Sequence, residues 1–519
     1  MTQGFRHRGA GMVLAGIAVG IGLGLFLAAI VWPTVALAWR TIGEGWGADS
    51  SVVPSVRQWG LLWHSTWMAA TAACLATALA MPAAIALRSL EESRWRILAW
   101  CGVAASLLCP STVLAFGWDR LLGPTRLDPS VRCMAMWSLW CWPLAALLIS
   151  SRLAETRGRG AEAAMLETTR GRVFWHIVLP VLHRPIGVSL VLLFAVFFTD
   201  YGTPHACGLP VYATELLGWA ASSPRIADTL FPALPSVGIT LLAVCWMFKS
   251  IGTFGQPSGT NDSGVGSTSA LHTRMKIVPA TVLWITLIVI SFLVPVGVLA
   301  LRRDLSASLV AAWTTYRVDL FGTLVTGAIA GIGATWMGLC LVRLGAIGYV
   351  CVVWTLALGV LPGAIVGLSL FAAYGNPAFA VLFDHWPIVA LAWVTRFGWV
   401  GALAGLVAAR SVPNQLTEQA ETDGASPLQG LLHVRIPMIL PTLVGSTTII
   451  LALSTGDIAA TSLVRVPGFN PISLVLLEKF HRFEDGMLVA LSVWLVGVSM
   501  ASAGVVAVIL ARSRRGARW

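Results

Sequence analysis

Apolar residues along this chain gather into long runs, and short polar, often basic, segments separate them. A membrane-spanning helix needs about 20 mainly apolar residues. Twelve runs meet that requirement: 11–38, 61–87, 97–118, 133–151, 185–201, 231–248, 277–300, 319–342, 346–372, 386–409, 441–460 and 486–511. The pattern predicts an all-α membrane protein of about twelve transmembrane helices, with both chain ends on one side because the count is even. The first run follows Arg6 and Arg8 as a secretory leader would. It exceeds the roughly 7–15 residues of a leader's apolar stretch, so it is read as the first spanning helix.

The stretch 250–272 is rich in Gly, Ser and Thr, has no sustained apolar face and reads as a flexible linker. Six runs precede it and six follow. The expected division is a first half at 1–249 with its core at about 60–249, a linker at 250–276, and a second half at 277–519 with its core at about 318–511. The halves repeat. Glu162 opens EAAMLETTRGRVFWHIVLP and Glu418 opens EQAETDGASPLQGLLHVRIP, an offset of 256. Pro180 and Pro437, Asp200 and Asp457, and Pro210 and Pro467 are each offset by 257. Because six is even, both copies run the same way through the membrane, a parallel repeat about an axis along the membrane normal. A pathway between two such halves is the natural place for a substrate.

Composition agrees with lipid as the solvent. The chain is 57% hydrophobic and 11% charged, where a soluble domain carries roughly a quarter charged residues. The net charge of +11 raises the question of a nucleic-acid partner. Lys and Arg form no basic stripe with interleaved aromatics, however, and that partner is excluded. With both termini inside, inner segments hold 21 of the 34 Lys and Arg and outer loops hold 12, while Arg396 lies within a helix. That bias places both termini in the cytoplasm. Trp residues near run ends, such as Trp32, Trp39, Trp59 and Trp95, read as an interfacial belt. The nine cysteines form no CxxC pair and read as small packing residues.

The loop from Glu418 has the grammar of helix, turn, helix. Gly424 suits the left-handed position that ends a helix, Ser426 suits an N-cap and Pro427 a first helical position. The short second helix is expected to run through Leu431 and Leu432 to Ile436, with Pro437 starting the return to the membrane. This loop resembles the EAA loop of type-1 ABC-transporter permeases. Glu418, Ala420, Gly424, Ile436 and Pro437 fit its spacing in the second copy, and Glu162, Ala163, Ala164, Leu179 and Pro180 fit in the first. Gln419 replaces one Ala, and the first copy is one residue short with Thr168 where Gly belongs. The fused two-half layout, with DYGTPHACGLPVYATELL and GDIAATSLVRVPGFNPISLVLL, is most similar to iron(III)-type permeases. Permeases for thiamine, polyamines and phosphonates share much of the pattern.

The resemblance implies a type-1 importer fold in a bacterial inner membrane, with the two loops docking on two separate ATPase subunits, expected as a homodimer. It also implies an extracytoplasmic substrate-binding protein. No G-x-x-x-x-G-K-[ST] occurs, so the chain itself is expected to bind no cofactor, with ATP and Mg handled by the partners. No catalytic residues and no metal-ligand set stand out; Tyr201 and His205 are too few for a site. The class competing with this reading is an ion-coupled secondary transporter, which can also be a parallel repeat. Asp200 and Asp457 are candidate pathway or gate residues, or helix caps near the interface. Arg396 is a candidate pathway residue, or a side chain satisfying exposed carbonyls.

Overall fold

The computed structural model describes residues 16–17, 19–44, 54–91, 95–123, 127–153, 168–169, 172, 176, 179–223, 225–252, 277–301, 303–412 and 414–516. Those residues are helical apart from connections and one isolated bridge between Val466 and Phe469. Among the described residues, ten helices are long and apolar enough to cross a membrane, or up to twelve if each of two bent pairs counts as one span.

In the first half the elements are α1 (Val19–Glu44), α2 (Val56–Glu91), α3 (Arg96–Leu108), α4 (Ser111–Leu122), α5 (Pro129–Leu153), α6 (Leu179–Thr199), α7 (Tyr212–Ser222) and α8 (Ile226–Gly252). The second half has α9 (Thr281–Ala300), α10 (Leu305–Val342), α11 (Gly345–Val360), α12 (Gly363–Tyr374), α13 (Pro387–Ser411), α14 (Asn414–Thr422), α15 (Ile436–Ser454), α16 (Ile472–His481) and α17 (Asp485–Gly516).

The expected straight spans at 97–118 and 346–372 are instead broken. α3 and α4 meet at 88°, and α11 and α12 at 113°. The cause is local: Pro110 and Pro362 sit at the breaks with ψ of 134° in each case, an extended angle no helix can hold. Apolar run length registers the total of each pair and is blind to the bend.

Prolines shape the intact spans differently. Proline gives no N–H and crowds the carbonyl four residues back. In α1 a π-helical turn at Leu27–Val31 leads into Trp32-Pro33, and the Trp32 N–H donates to the Leu27 carbonyl five residues back. In α9 a π turn at Val289–Leu293 leads into Val294-Pro295 with the same bond from Val294 to Val289. Widening the turn makes room for the ring. These turns share an offset of 262, a further mark of the repeat.

Helix packing exchanges pieces between the halves. α2, α5 and α6 pack on one another, as do their counterparts α10, α13 and α15. α1 packs on α12 of the other half as well as on α8 of its own, with the Tyr374 hydroxyl donating to the Ala28 carbonyl at 2.8 Å and Thr395 of α13 to the Ala29 carbonyl at 2.8 Å. Both acceptors lie in the π turn ahead of Pro33, whose nitrogen has no hydrogen to give. Reciprocally, α9 lies on α2, α3 and α4, with Trp284 against Gly102 of α3 and Pro295 against Gly117 of α4. α17 packs along α3, and α8 along α1 and α11. The two hydrophobic cores are therefore mixed. One joins α2–α6 to α9, α16 and α17, and the other joins α10–α13 and α15 to α1, α7 and α8.

Lipid offers no hydrophobic drive between helices, so close backbone approach through small residues holds spans together. The first half uses alanine: Ala69, Ala72, Ala73, Ala76 and Ala80 of α2 are all buried. The second half uses glycine and packs tighter. A Cβ on Gly338 of α10 would fall 2.0 Å from the Gly401 carbonyl oxygen of α13, and one on Gly401 would fall 2.2 Å from the Ala334 carbonyl oxygen. We expect Gly338→Ala to force α10 and α13 apart at a cost of about 1–3 kcal/mol, against a near-neutral Gly445→Ala, where nothing lies within 4 Å of a new Cβ. Thermal unfolding of the solubilised protein measures both, and equal transitions would contradict the close-packing account.

Candidate functional site

Two of the repeat's landmarks, Asp200 and Asp457, converge on one cavity of about 140 Å³ between the halves. Its wall holds the break at Cys109-Pro110, the residues after α6 from Asp200 to Gly202, Arg396 of α13, and the residues after α15 from Gly456 to Ala459. The structure thus brings together Asp200, Asp457 and Arg396, which lie far apart in sequence.

Asp200 follows the last turn of α6. Its Oδ1 accepts from the Gly202 N–H at 3.2 Å and the Ser111 hydroxyl at 3.3 Å. Its Oδ2 accepts from the Thr203 N–H at 3.1 Å and the Trp137 indole at 2.8 Å. The carboxylate starts the short helix Gly202–Ala206 and ties it to α4 and α5. Two of its four bonds come from N–H groups at the start of that helix.

Asp457 is differently placed. Only Oδ2 is engaged, by the Thr461 N–H at 3.0 Å and the Thr461 hydroxyl at 2.7 Å, which in turn accepts from the Trp393 indole at 3.0 Å. Its Oδ1 has no hydrogen-bond partner among the described residues although the side chain is 8% exposed.

Trp137 and Trp393 are offset by 256 and are both fully buried. The belt reading fits Trp32, Trp39, Trp59 and Trp95, all exposed, and fails for these two. Their equal offset from the matched loops is the sequence signal that would have found them.

Arg396 donates from Nη1 to the Gly359 carbonyl at 3.0 Å and to the Leu361 carbonyl. Those carbonyls are stranded where α11 ends. Its repeat counterpart, offset by 256, is Trp140, whose indole donates to the Cys109 carbonyl at 3.2 Å where α3 ends. The two unlike side chains are equivalent in this respect, since each supplies a donor to a helix break that has lost its own. No carboxylate lies within the 4.0 Å of a salt bridge from Arg396 among the described residues.

Tyr201 and His205 stack at 5.0 Å, with 3.3 Å between the phenol oxygen and Nδ1, and His481 of the second half lies 5.0 Å from His205. No group of three or more His, Cys, Asp or Glu that could hold a metal occurs among the described residues.

The second sequence-marked feature is a loop. α14 ends at Gly424, whose φ of 83° is the left-handed value expected of it. The Ala425 N–H reaches back to the Ala420 carbonyl at 2.9 Å, the six-to-one bond of a Schellman turn. Ser426 and Gln429 then cap reciprocally: the Ser426 N–H donates to Gln429 Oε1 at 2.8 Å and the Gln429 N–H to Ser426 Oγ at 3.3 Å. Pro437 does not begin a new helix. Pro427–Gly430, a π turn at Leu431–Arg435 and α15 run on continuously, the third π turn set directly ahead of an X-Pro pair. Glu418, Gln419 and Gly424 are exposed, and Leu416 and Leu432 stand out at 39% and 49% exposure. Of the first copy, Glu162, Ala163 and Ala164 lie outside the described residues, while Thr168 is described and Leu179-Pro180 opens α6.

No protein-family model matches the chain. It is similar to the "Putative 2-aminoethylphosphonate transport system permease protein PhnV" of Salmonella choleraesuis (strain SC-B67), with 24% identity over 217 residues, 40% of this chain and 76% of that protein. The protein of the same name from Salmonella paratyphi A (strain ATCC 9150 / SARB42) is 25% identical over 198 residues, 37% of this chain and 72% of its own. The putrescine transport system permease protein PotI of Escherichia coli (strain K12) is 24% identical over 144 residues, 27% of this chain and 50% of PotI.

The two indoles make bonds of different strength. Trp137 donates to a carboxylate and Trp393 to a neutral hydroxyl. Trp137→Phe should therefore cost about 1.5–3 kcal/mol and Trp393→Phe about 0.5–1.5 kcal/mol, read as the difference in denaturation midpoint of the solubilised variants. The reverse order would show that the Asp200 bond is not a charge-assisted one.

Proposed function

We propose that this chain is the membrane-spanning permease of an ATP-driven ABC importer, carrying both permease halves in one polypeptide. The observation that carries the reading is the exposed turn around Gly424. It presents a short rigid surface with two outward leucines at the foot of α15. A spanning helix joined to such a turn without a break moves when the turn is moved. α15 has 19 residues, about 28 Å at 1.5 Å per residue, and it ends three residues before Asp457 at the cavity. Force applied at the turn therefore reaches the wall of the cavity along one rod.

The comparisons support the same reading. A transport-system permease matched over 76% of its length occupies 40% of this chain, as expected of a chain with room for two such units. The inner-segment excess of Lys and Arg supports a cytoplasmic position for the Gly424 turn, the side on which an ATPase would dock. The partners in this reading are two ATPase subunits, one under each loop, and an extracytoplasmic binding protein. ATP and Mg belong to the ATPases. For the cargo, relatives named for 2-aminoethylphosphonate and for putrescine favour an amine-bearing solute over iron(III).

Isolation of the chain with its native partners tests the reading. We expect an ATPase to accompany it, with hydrolysis stimulated by a loaded binding protein. Gly424→Val should cut that stimulation several-fold, because a β-branched residue pays about 1–2 kcal/mol or more to hold a left-handed turn. Uptake driven by a proton or sodium gradient without an ATPase would refute it.

A further inference from the structure

Three ionisable side chains of opposite sign share the cavity wall: Asp200, Arg396 and Asp457. Charged groups among spanning helices are costly, and those that persist pair with each other, with carbonyls, or with a substrate. Their hydrogen bonds show which of the three are already used.

Asp200 is fully engaged, with two donors on each oxygen. Asp457 retains one oxygen with no partner on a side chain that is more than nine-tenths buried. Arg396 uses Nη1 on two carbonyls, and neither Nη2 nor Nε has a partner among the described residues. The positive charge of Arg396 exceeds what the helix break requires. In the other half the neutral indole of Trp140 performs the same capping, so the cationic residue is surplus to the architecture. Left without a hydrogen-bond partner among the described residues, on two side chains that line the cavity, are Nη2 and Nε of Arg396 and Oδ1 of Asp457.

From this we infer that the cavity is a binding site for a small zwitterion, its oxyanion end on Arg396 and its ammonium end on Asp457. A guanidinium edge presents parallel donors suited to phosphonate or carboxylate oxygens, and the free carboxylate oxygen accepts from an ammonium. A dication would set one of its charges against Arg396. A simple anion would leave Asp457 without a counter-charge. The volume of about 140 Å³ is of the order that admits a benzene-sized molecule, so the ligand is short. The inference rests on the importer reading for its biological sense and chooses, between the two cargo types named among the relatives, the aminoalkylphosphonate over the diamine.

The test uses the full chain in lipid nanodiscs with three probes: 2-aminoethylphosphonate, ethylphosphonate without the ammonium, and putrescine without the anion. The wild-type chain should bind 2-aminoethylphosphonate at least tenfold tighter than either of the others. Arg396→Trp installs the residue found at the repeat-equivalent position and keeps a donor for the stranded carbonyls. It should weaken 2-aminoethylphosphonate at least tenfold and narrow or reverse its advantage over putrescine. Asp457→Asn keeps an oxygen for Thr461 and should weaken 2-aminoethylphosphonate while leaving ethylphosphonate unchanged. The wild-type comparison needs no variant to fold. Putrescine binding as tightly as 2-aminoethylphosphonate, no binding of any probe, or variants indistinguishable from wild type would overturn the site. Those results leave ATPase coupling untouched, whereas zwitterion binding by a chain that recruits no ATPase would sink the importer reading alone.

Discussion

A carbonyl stranded in a lipid-embedded helix has no water to turn to and costs several kcal/mol unless some other group donates to it. This chain strands carbonyls repeatedly, because Pro33, Pro110, Pro295 and Pro362 each interrupt a helix within the bundle. Much of the architecture follows from how donors are returned to those sites. Trp140 and Arg396 bridge from α5 and α13 to the breaks of α3 and α11. Tyr374 and Thr395 reach across to α1. The donors come from elements remote in sequence, so the interruptions that weaken single helices bind the bundle together. In α1 the donor belongs to the other half altogether, which fixes the exchange of first helices as a feature of the packing.

That exchange explains what the sequence could and could not tell. Spanning helices announce themselves by twenty-residue apolar runs, and the repeat announces itself by fixed offsets between Glu162 and Glu418, Pro180 and Pro437, Asp200 and Asp457. Neither signal encodes which helix lies on which. A buried face such as that of Ala36, Leu37 and Thr41 on α1 marks a side that packs, but not the helix it packs against. The breaks at Pro110 and Pro362 do not show in run length, and proline alone does not mark them, since Pro82 and Pro143 stand inside unbroken helices. The Gly424 turn was legible because its signal is stereochemical: a glycine, then Ser-Pro, admits few backbone conformations.

Within the site, Asp200, Asp457 and Arg396 stood out as charges in apolar surroundings, and the fold assembles all three. Trp137, Trp393 and Trp140 did not stand out, because tryptophan in a membrane protein has an ordinary explanation at the interface. Burial separates the two populations. Trp393 has no exposure, while Trp39 is 77% exposed, and in the sequence the offset of 256 shared by Trp137 and Trp393 is what marks the buried pair.

The duplicated halves have kept their geometry and diverged in chemistry. Where one half packs on alanine the other packs on glycine; where one closes its break with an indole the other uses a guanidinium. An indole and a guanidinium are interchangeable as donors to a carbonyl, so the fold tolerates either at this position. They are not interchangeable to a solute in the cavity, because only the guanidinium keeps a full charge with donors to spare. The same divergence recurs at the acids. Asp200 is consumed by four donors, while Asp457 delegates its indole to Thr461 and keeps an oxygen free. Both unspent groups lie on the second half, on α13 and after α15. In the proposed site the first half would supply a closed wall and the second the recognition chemistry, a division that a symmetric pair of identical subunits could not make and a single fused chain can.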